Sequence, residues 1–292
     1  MIGLAPIDGL TVLAIVAKAI EYAAASLAMG GILFHLVFAK LAAPDVLRLA
    51  QRIAVCAALI GLTVLALRFG IRAARISGMG LEGATDPVML GFVWQSPLGT
   101  AAIWRAAGGL LIAAALIPVL GRWIALAGSV AVAVSFAQVG HSLGEPRAAL
   151  AVFLVVHVLA FSVWIGSLIP LHRAARTTAG ADLLHQFGKF ATYIVALLII
   201  AGVTISWLLA GSIAALLGTA YGAVLLLKVL SVSVLLGVAA LNKVRLVPAL
   251  RADERGAAKA IQRSISTEML VVALVFVVTA IITVVTTPPV NL

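Results

Sequence analysis

The sequence predicts an all-α, polytopic membrane protein, and three observations carry that prediction. Of its 292 residues, 64% are hydrophobic and only 10% are charged, whereas a soluble domain carries about a quarter charged residues. Mean hydropathy is +1.22. Apolar runs of roughly 20 residues, long enough to cross ~30 Å of hydrocarbon, recur along the whole chain. They are unlike the short alternating segments of a transmembrane β-barrel.

Read in order, the chain forms one transmembrane domain, 1–292, of eight spans: 9–39, 49–70, 98–120, 123–140, 148–171, 187–211, 219–243 and 264–287. Span 1 is Gly-rich and stops before Lys40, and span 2 follows Arg48 and ends before Arg72. Span 3 starts after Pro97 and span 4 after Arg122. Span 5 runs from Arg147 to the basic loop at His172 and Arg173, and contains a bend-prone Trp-Ile-Gly-Ser segment. Span 6 gathers the apolar residues from Phe187, span 7 closes at Lys243, and span 8 lies between Arg263 and Pro288–Pro289. Two connections are long. The first, 71–97, holds Gly78, Gly80, Gly83 and Pro87, and its Met89, Phe92 and Trp94 predict an interfacial segment. The second, 244–263, is charged.

A net charge of +10 and a pI near 10.7 would suit nucleic acid. In a chain of this hydropathy they are better read as cytoplasmic loop charge, with no nucleic-acid partner expected. Thirteen Lys and Arg follow spans 1, 3, 5 and 7, against five (Arg68, Arg72, Arg75, Arg105 and Arg147) on the opposite side. That bias predicts both termini outside, which for a bacterial inner membrane is the periplasm. His141 then falls at the outer end of span 4. His157 lies about nine residues into span 5, hence ~14 Å below the outer boundary.

The one cysteine, Cys56, excludes an internal disulfide and any Cys-x-x-Cys motif. The first apolar segment is too long, and too poor in a basic leader, for a cleavable signal. Neither a P-loop, nor an Asp-Lys-Thr-Gly phosphorylation loop, nor a Cys-Pro-Cys site occurs, so an ATP-driven pump within this chain has no support. The protein is expected not to be an enzyme.

Polar residues inside hydrocarbon are costly and usually face a bundle interior or a wet cavity. Span 1 carries Lys18, Glu21, Met29 and His35, which share one helical stripe at about 100° per residue. Ala25 and Ala28 between them allow close helix approach. Either Lys18 and Glu21 form a structural pair, or the stripe is a wall lined for metal or protons. Span 7 carries Tyr221, Lys228 and Asn242 close together on one face, with Lys228 a counter-charge for Glu21 or Glu268, or a fixed charge beside a path. His35 and Cys56 lie at similar depth near the inner ends of spans 1 and 2. Imidazole and thiolate suit soft metals such as Cu(I), although a lone buried cysteine is more often a small hydrophobe. His157 has Phe161, Trp164 and Leu168 on its own face. It is either a core histidine donating to a backbone carbonyl or half of a metal site with His141, with Glu145 between them in sequence.

The segment GHSLGEPRAALAVFLVVHVLAFSVWIGSLIPL resembles the copper resistance protein D (CopD) family pattern of Gly-His followed by a His-bearing Trp-x-Gly-x-Leu helix. GSIAALLGTAYGAVLLLKVLSVSVLLGVAALNKVRLVPAL and RSISTEMLVVALVFVVTAIITVVTTPP resemble the two blocks that close the family pattern. The resemblance runs from about residue 138 onward. The first half is similar in span count and in its Gly-rich first helix, with Glu21 where family members often place a histidine. It implies an eight-span inner-membrane protein that imports copper, aided by a small periplasmic CopC-like copper-binding protein. Copper, as Cu(I) or Cu(II), would bind near His141 and His157 and pass inward along spans 1, 5 and 7, with Glu21 offsetting its charge. Two alternatives stand beside this reading. One is a b-type haem held by the two histidines; the other is a copper-binding sensor or assembly factor.

Overall fold

The computed structural model describes residues 6–117 and 119–289, with the side chains of 141, 178 and 179 outside the description. Eleven helices lie among the described residues: α1 Gly9–Val37, α2 Pro44–Ser77, α3 Pro87–Gln95, α4 Pro97–Ala113, α5 Gly121–Phe136, α6 Arg147–Ala174, α7 Thr178–Ala210, α8 Ile213–Gly218, α9 Ala220–Leu241, α10 Val247–Arg251 and α11 Ala257–Val284. No strand occurs among them. Seven segments are long and apolar enough to cross a membrane; α5, at 16 residues, is the shorter apolar helix. At 1.5 Å per residue it reaches about 24 Å, short of the ~30 Å of hydrocarbon that a full span crosses.

Local chemistry sets the helix ends. Asp8 caps α1 by accepting from the Thr11 amide at 2.7 Å, satisfying one of the amides that a helix start leaves unpaired. Pro44 opens α2 in its first turn, and Gly78 closes it with φ of 71°, in the left-handed region. The helix therefore runs past the hydrophobic stretch at both ends. The 71–97 connection is not a loop throughout: it holds a 3₁₀ segment at Gly80–Thr85 and then α3, capped by Asp86.

α1 is the central element, packing against α2, α4, α5, α6 and α11. Its closest crossing is with α6. A Cβ placed at Gly30 would lie 1.9 Å from the Ser162 carbonyl oxygen, and one at Gly166 would lie 2.5 Å from Gly30 backbone atoms. The Trp-Ile-Gly-Ser segment is thus no bend. α6 is continuous through it, and Gly166 serves helix contact rather than chain reversal. A second crossing of the same kind joins α4 to α5 at Gly108 and Gly128. α9 continues through a π-helical turn at Asn242–Leu246 into α10, where Pro248 stands in the first turn. Such turns leave backbone carbonyls out of the normal ladder and re-aim the side chains they carry.

Candidate functional site

Two buried polar clusters and one half-buried histidine occupy the bundle. The first cluster centres on Glu21, midway along α1 and 1% exposed. Its Oε2 accepts from Arg68 Nη1 of α2, and its Oε1 accepts from Arg105 Nη1 of α4. Arg105 is itself buried. Its Nε donates to Ser135 Oγ of α5 at 3.0 Å, its guanidinium carbon lies 4.4 Å from the Phe136 ring centroid, and its Nη2 has no partner. One carboxylate therefore ties four helices together. Sequence reasoning paired Glu21 with Lys18 or Lys228, or gave it to a metal, because Arg68 and Arg105 counted as charges at the outer ends of their spans. Both instead turn inward. Lys18 Nζ lies 5.9 Å from the Tyr22 ring centroid. With each oxygen of Glu21 held by a guanidinium, its lone pairs face fixed cations.

The second cluster joins α11, α9 and α6. Asn242 Nδ2 donates to Glu268 Oε1, and the Trp164 indole lies beside the same carboxyl group. Glu268 and Trp164 are 3% and 2% exposed. The partner of Glu268 is thus Asn242, presented by the π-helical turn, and not Lys228. Replacing Asn242 with leucine removes this donor, and the thermal midpoint in detergent is expected to fall by the equivalent of about 1–3 kcal/mol. A midpoint equal to that of the native protein would remove Asn242 from the cluster's support.

His157 of α6 has Nδ1 3.1 Å from the Leu198 carbonyl oxygen of α7. A carbonyl only accepts, so Nδ1 carries the proton and the neutral ring keeps its lone pair on Nε2. α7 makes room for the ring at Gly202, where a Cβ would approach His157 Cε1 to 3.0 Å. Lys228 of α9 lies within electrostatic range of this histidine. The other expected ligand, His141, sits in a 3₁₀ turn at Gly140–Leu143 between α5 and α6, and its side chain is outside the described residues.

The remaining candidates are dispersed. Met29 is fully buried among Ala25, Ala28, Ile32 and Ala54 in an apolar layer. His35 Nδ1 lies 3.4 Å from the Leu47 carbonyl oxygen. Cys56 is exposed on the outer face of α2. Tyr221 is buried beside Leu150, Leu209, Leu225 and Ile282. Among the described residues, no group of three or more His, Cys, Asp or Glu side chains is placed to hold a metal. Sequence reasoning also passed over a pattern: Gly140-His141-Ser142-Leu143-Gly144 has the Gly-x-Ser-x-Gly spacing of a hydrolase elbow. That motif needs a strand-to-helix turn over a sheet. Here it joins two helices, and the Ser142 hydroxyl donates to the Val139 and Phe136 carbonyls at 3.0 and 3.3 Å.

A helical bundle with seven long apolar helices and buried ionic clusters defines a multi-pass integral membrane protein. Residues 8–146 match the family model described as copper resistance protein D-like, N-terminal domain, and residues 181–282 match copper resistance protein D. The two matches cover most of the chain, which belongs to the copper resistance protein D family. No curated protein and no solved structure matches it.

Proposed function

We propose that the protein imports copper across a bacterial inner membrane, with both termini on the periplasmic side, and that it is a transporter rather than a catalyst. The observation that carries the site assignment is the His157–Leu198 hydrogen bond. Histidines that bind metals almost always donate their second ring nitrogen to a carbonyl or carboxylate, which fixes the tautomer and aims the free nitrogen. His157 has that arrangement, in a family defined by copper resistance. His141, close before α6 in sequence, is proposed as its partner at the periplasmic end. The single face expected from spans 1, 5 and 7 does not form, because α9 packs on α11 rather than on α1 or α6. The route inward is therefore proposed along α6, where it meets α1 and α7, and a small periplasmic CopC-like protein delivers the ion. Imidazole binds copper without adding charge to the low-dielectric interior. Glu21 is given a structural part, because Arg68 and Arg105 already occupy it. Met29, His35 and Cys56 lie outside the proposed route.

His157→Ala combined with His141→Ala is expected to lower copper accumulation in cells by at least about tenfold, since losing even a hydrogen-bond partner of a metal ligand costs that much. Helix content by circular dichroism should stay unchanged. Copper accumulation at the native level in well-folded double variant would remove these histidines from the route. Gly202→Ala, which presses a methyl group against the His157 ring, is expected to reduce copper binding less severely.

A further inference from the structure

A groove opens on the surface where the end of α6 meets the start of α11. It holds about 400 Å³ and is lined by His172 on one side and by Lys259, Gln262, Arg263, Ser266 and Thr267 on the other. Gln262 ties the two walls together, donating from Nε2 to the His172 carbonyl oxygen at 3.2 Å. The Ser266 and Thr267 hydroxyls donate to the Gln262 and Arg263 carbonyls, which leaves the two cations as the charged donors of the α11 wall.

Lys259 and Arg263 are exposed and stand four residues apart, a like-charge pair that repels across one helical turn. Neither is ion-paired among the described residues, whereas Arg173 and Arg251 at the same end of the bundle pair with Asp45 and Asp182. Beyond the pair α11 turns apolar, and from Met269 to Val284 it carries no charged residue. Leu270, Leu274 and Val277 follow Arg263 at i+7, i+11 and i+14, on the same face, and all three are exposed. Within two turns, that face passes from unpaired cations to a strip of bare hydrocarbon. In a membrane protein such a transition marks the level of the lipid headgroups.

We propose that the groove binds one anionic phospholipid, its phosphate seated between Lys259 and Arg263 and one acyl chain lying along Leu270, Leu274 and Val277. The anion offsets the repulsion within the pair, and the groove walls exclude part of the surrounding water, which strengthens the attraction. A zwitterionic lipid offers the same phosphate but brings a cation of its own, which the pair repels. The bound lipid staples α11 to α6 beside the Gln262 bridge. The site requires neither the copper route nor a given orientation in the membrane.

The test offers full-length protein in detergent equal amounts of phosphatidylglycerol and phosphatidylcholine with the same acyl chains, and counts retained lipid by native mass spectrometry. One phosphatidylglycerol is expected to be retained in preference to phosphatidylcholine. Lys259→Gln with Arg263→Gln should weaken that binding by about thirtyfold, about fivefold for each cation removed. Arg245→Gln with Arg255→Gln removes the same charge from exposed positions outside the groove and should leave the binding unchanged. Equal retention of the two lipids by the native protein overturns the proposal, a comparison that stands even if a variant does not fold. An equal loss in the two double variants also overturns it, because the attraction then belongs to the basic end as a whole. Inorganic phosphate is expected not to compete at equal ionic strength; displacement of the lipid by phosphate would reduce the groove to a small-anion site and overturn the assignment.

Discussion

Glu21→Ala is expected to destabilise the protein more than any other single side-chain truncation in the bundle. It leaves the Arg68 and Arg105 guanidiniums buried together with no anion between them, in place of the ion pairs that hold α1 to α2 and α4. Removing one partner from a buried pair typically costs about 3–5 kcal/mol, because the remaining charge is stranded. Thermal unfolding in detergent, or retention of the folded species on size exclusion, reads this directly. The same principle predicts partial rescue: converting the whole triad to apolar residues, as in Glu21→Leu with Arg68→Leu and Arg105→Met, should recover much of the loss. Were Glu21 an ion ligand instead, Glu21→Ala would abolish copper handling while leaving the midpoint intact. That outcome would return the residue to the transport route.

Gly166→Leu is the second large effect. The atoms that a side chain at 166 would meet are backbone atoms of Gly30 at 2.5 Å, and the mirror change at Gly30 meets the Ser162 carbonyl oxygen at 1.9 Å. Backbone cannot swing aside as a flexible side chain can, so α1 and α6 must separate. Loss of that crossing opens the core formed by Phe34, Phe38, Trp164, Ile165 and Leu168. Folded protein should be undetectable or strongly reduced by fluorescence-detected size exclusion. Gly237→Ala is the matched control: nothing lies within 4 Å of its added methyl group, and replacing a mid-helix glycine should gain up to about 1 kcal/mol. A native-like Gly166→Leu would mean that the crossing does not hold the bundle together.

Hydropathy made the long helices legible, because a run of apolar residues needs no knowledge of its neighbours to be read as a span. It failed where the chain departs from that one-dimensional rule. α2 outruns its apolar stretch because the arginines at its end are tolerated by the helix, and Gly78 rather than the first charge stops it. The histidine at 157 was visible as an oddity in an apolar helix, and its carbonyl partner was among the readings open to it. The triad was not visible. Arg68 and Arg105 meet Glu21 across 47 and 84 residues of sequence, and nothing local says that a basic residue near a span's end turns inward. Asn242 was marked as polar, but its aim at Glu268 depends on a π-helical turn that residue spacing cannot foretell.

α6 has a consequence for how such chains can be divided. The Glu21 cluster lies wholly within the first matched segment, and Asn242 and Glu268 lie within the second. Between the two runs α6, which gives Gly166 to α1, Trp164 to Glu268 and His157 to α7. It links the two halves, alongside the direct packing of α1 against α11. A hybrid that joins halves from two relatives must therefore inherit α6 matched on both flanks, and whichever parent supplies it dictates what the other half can change.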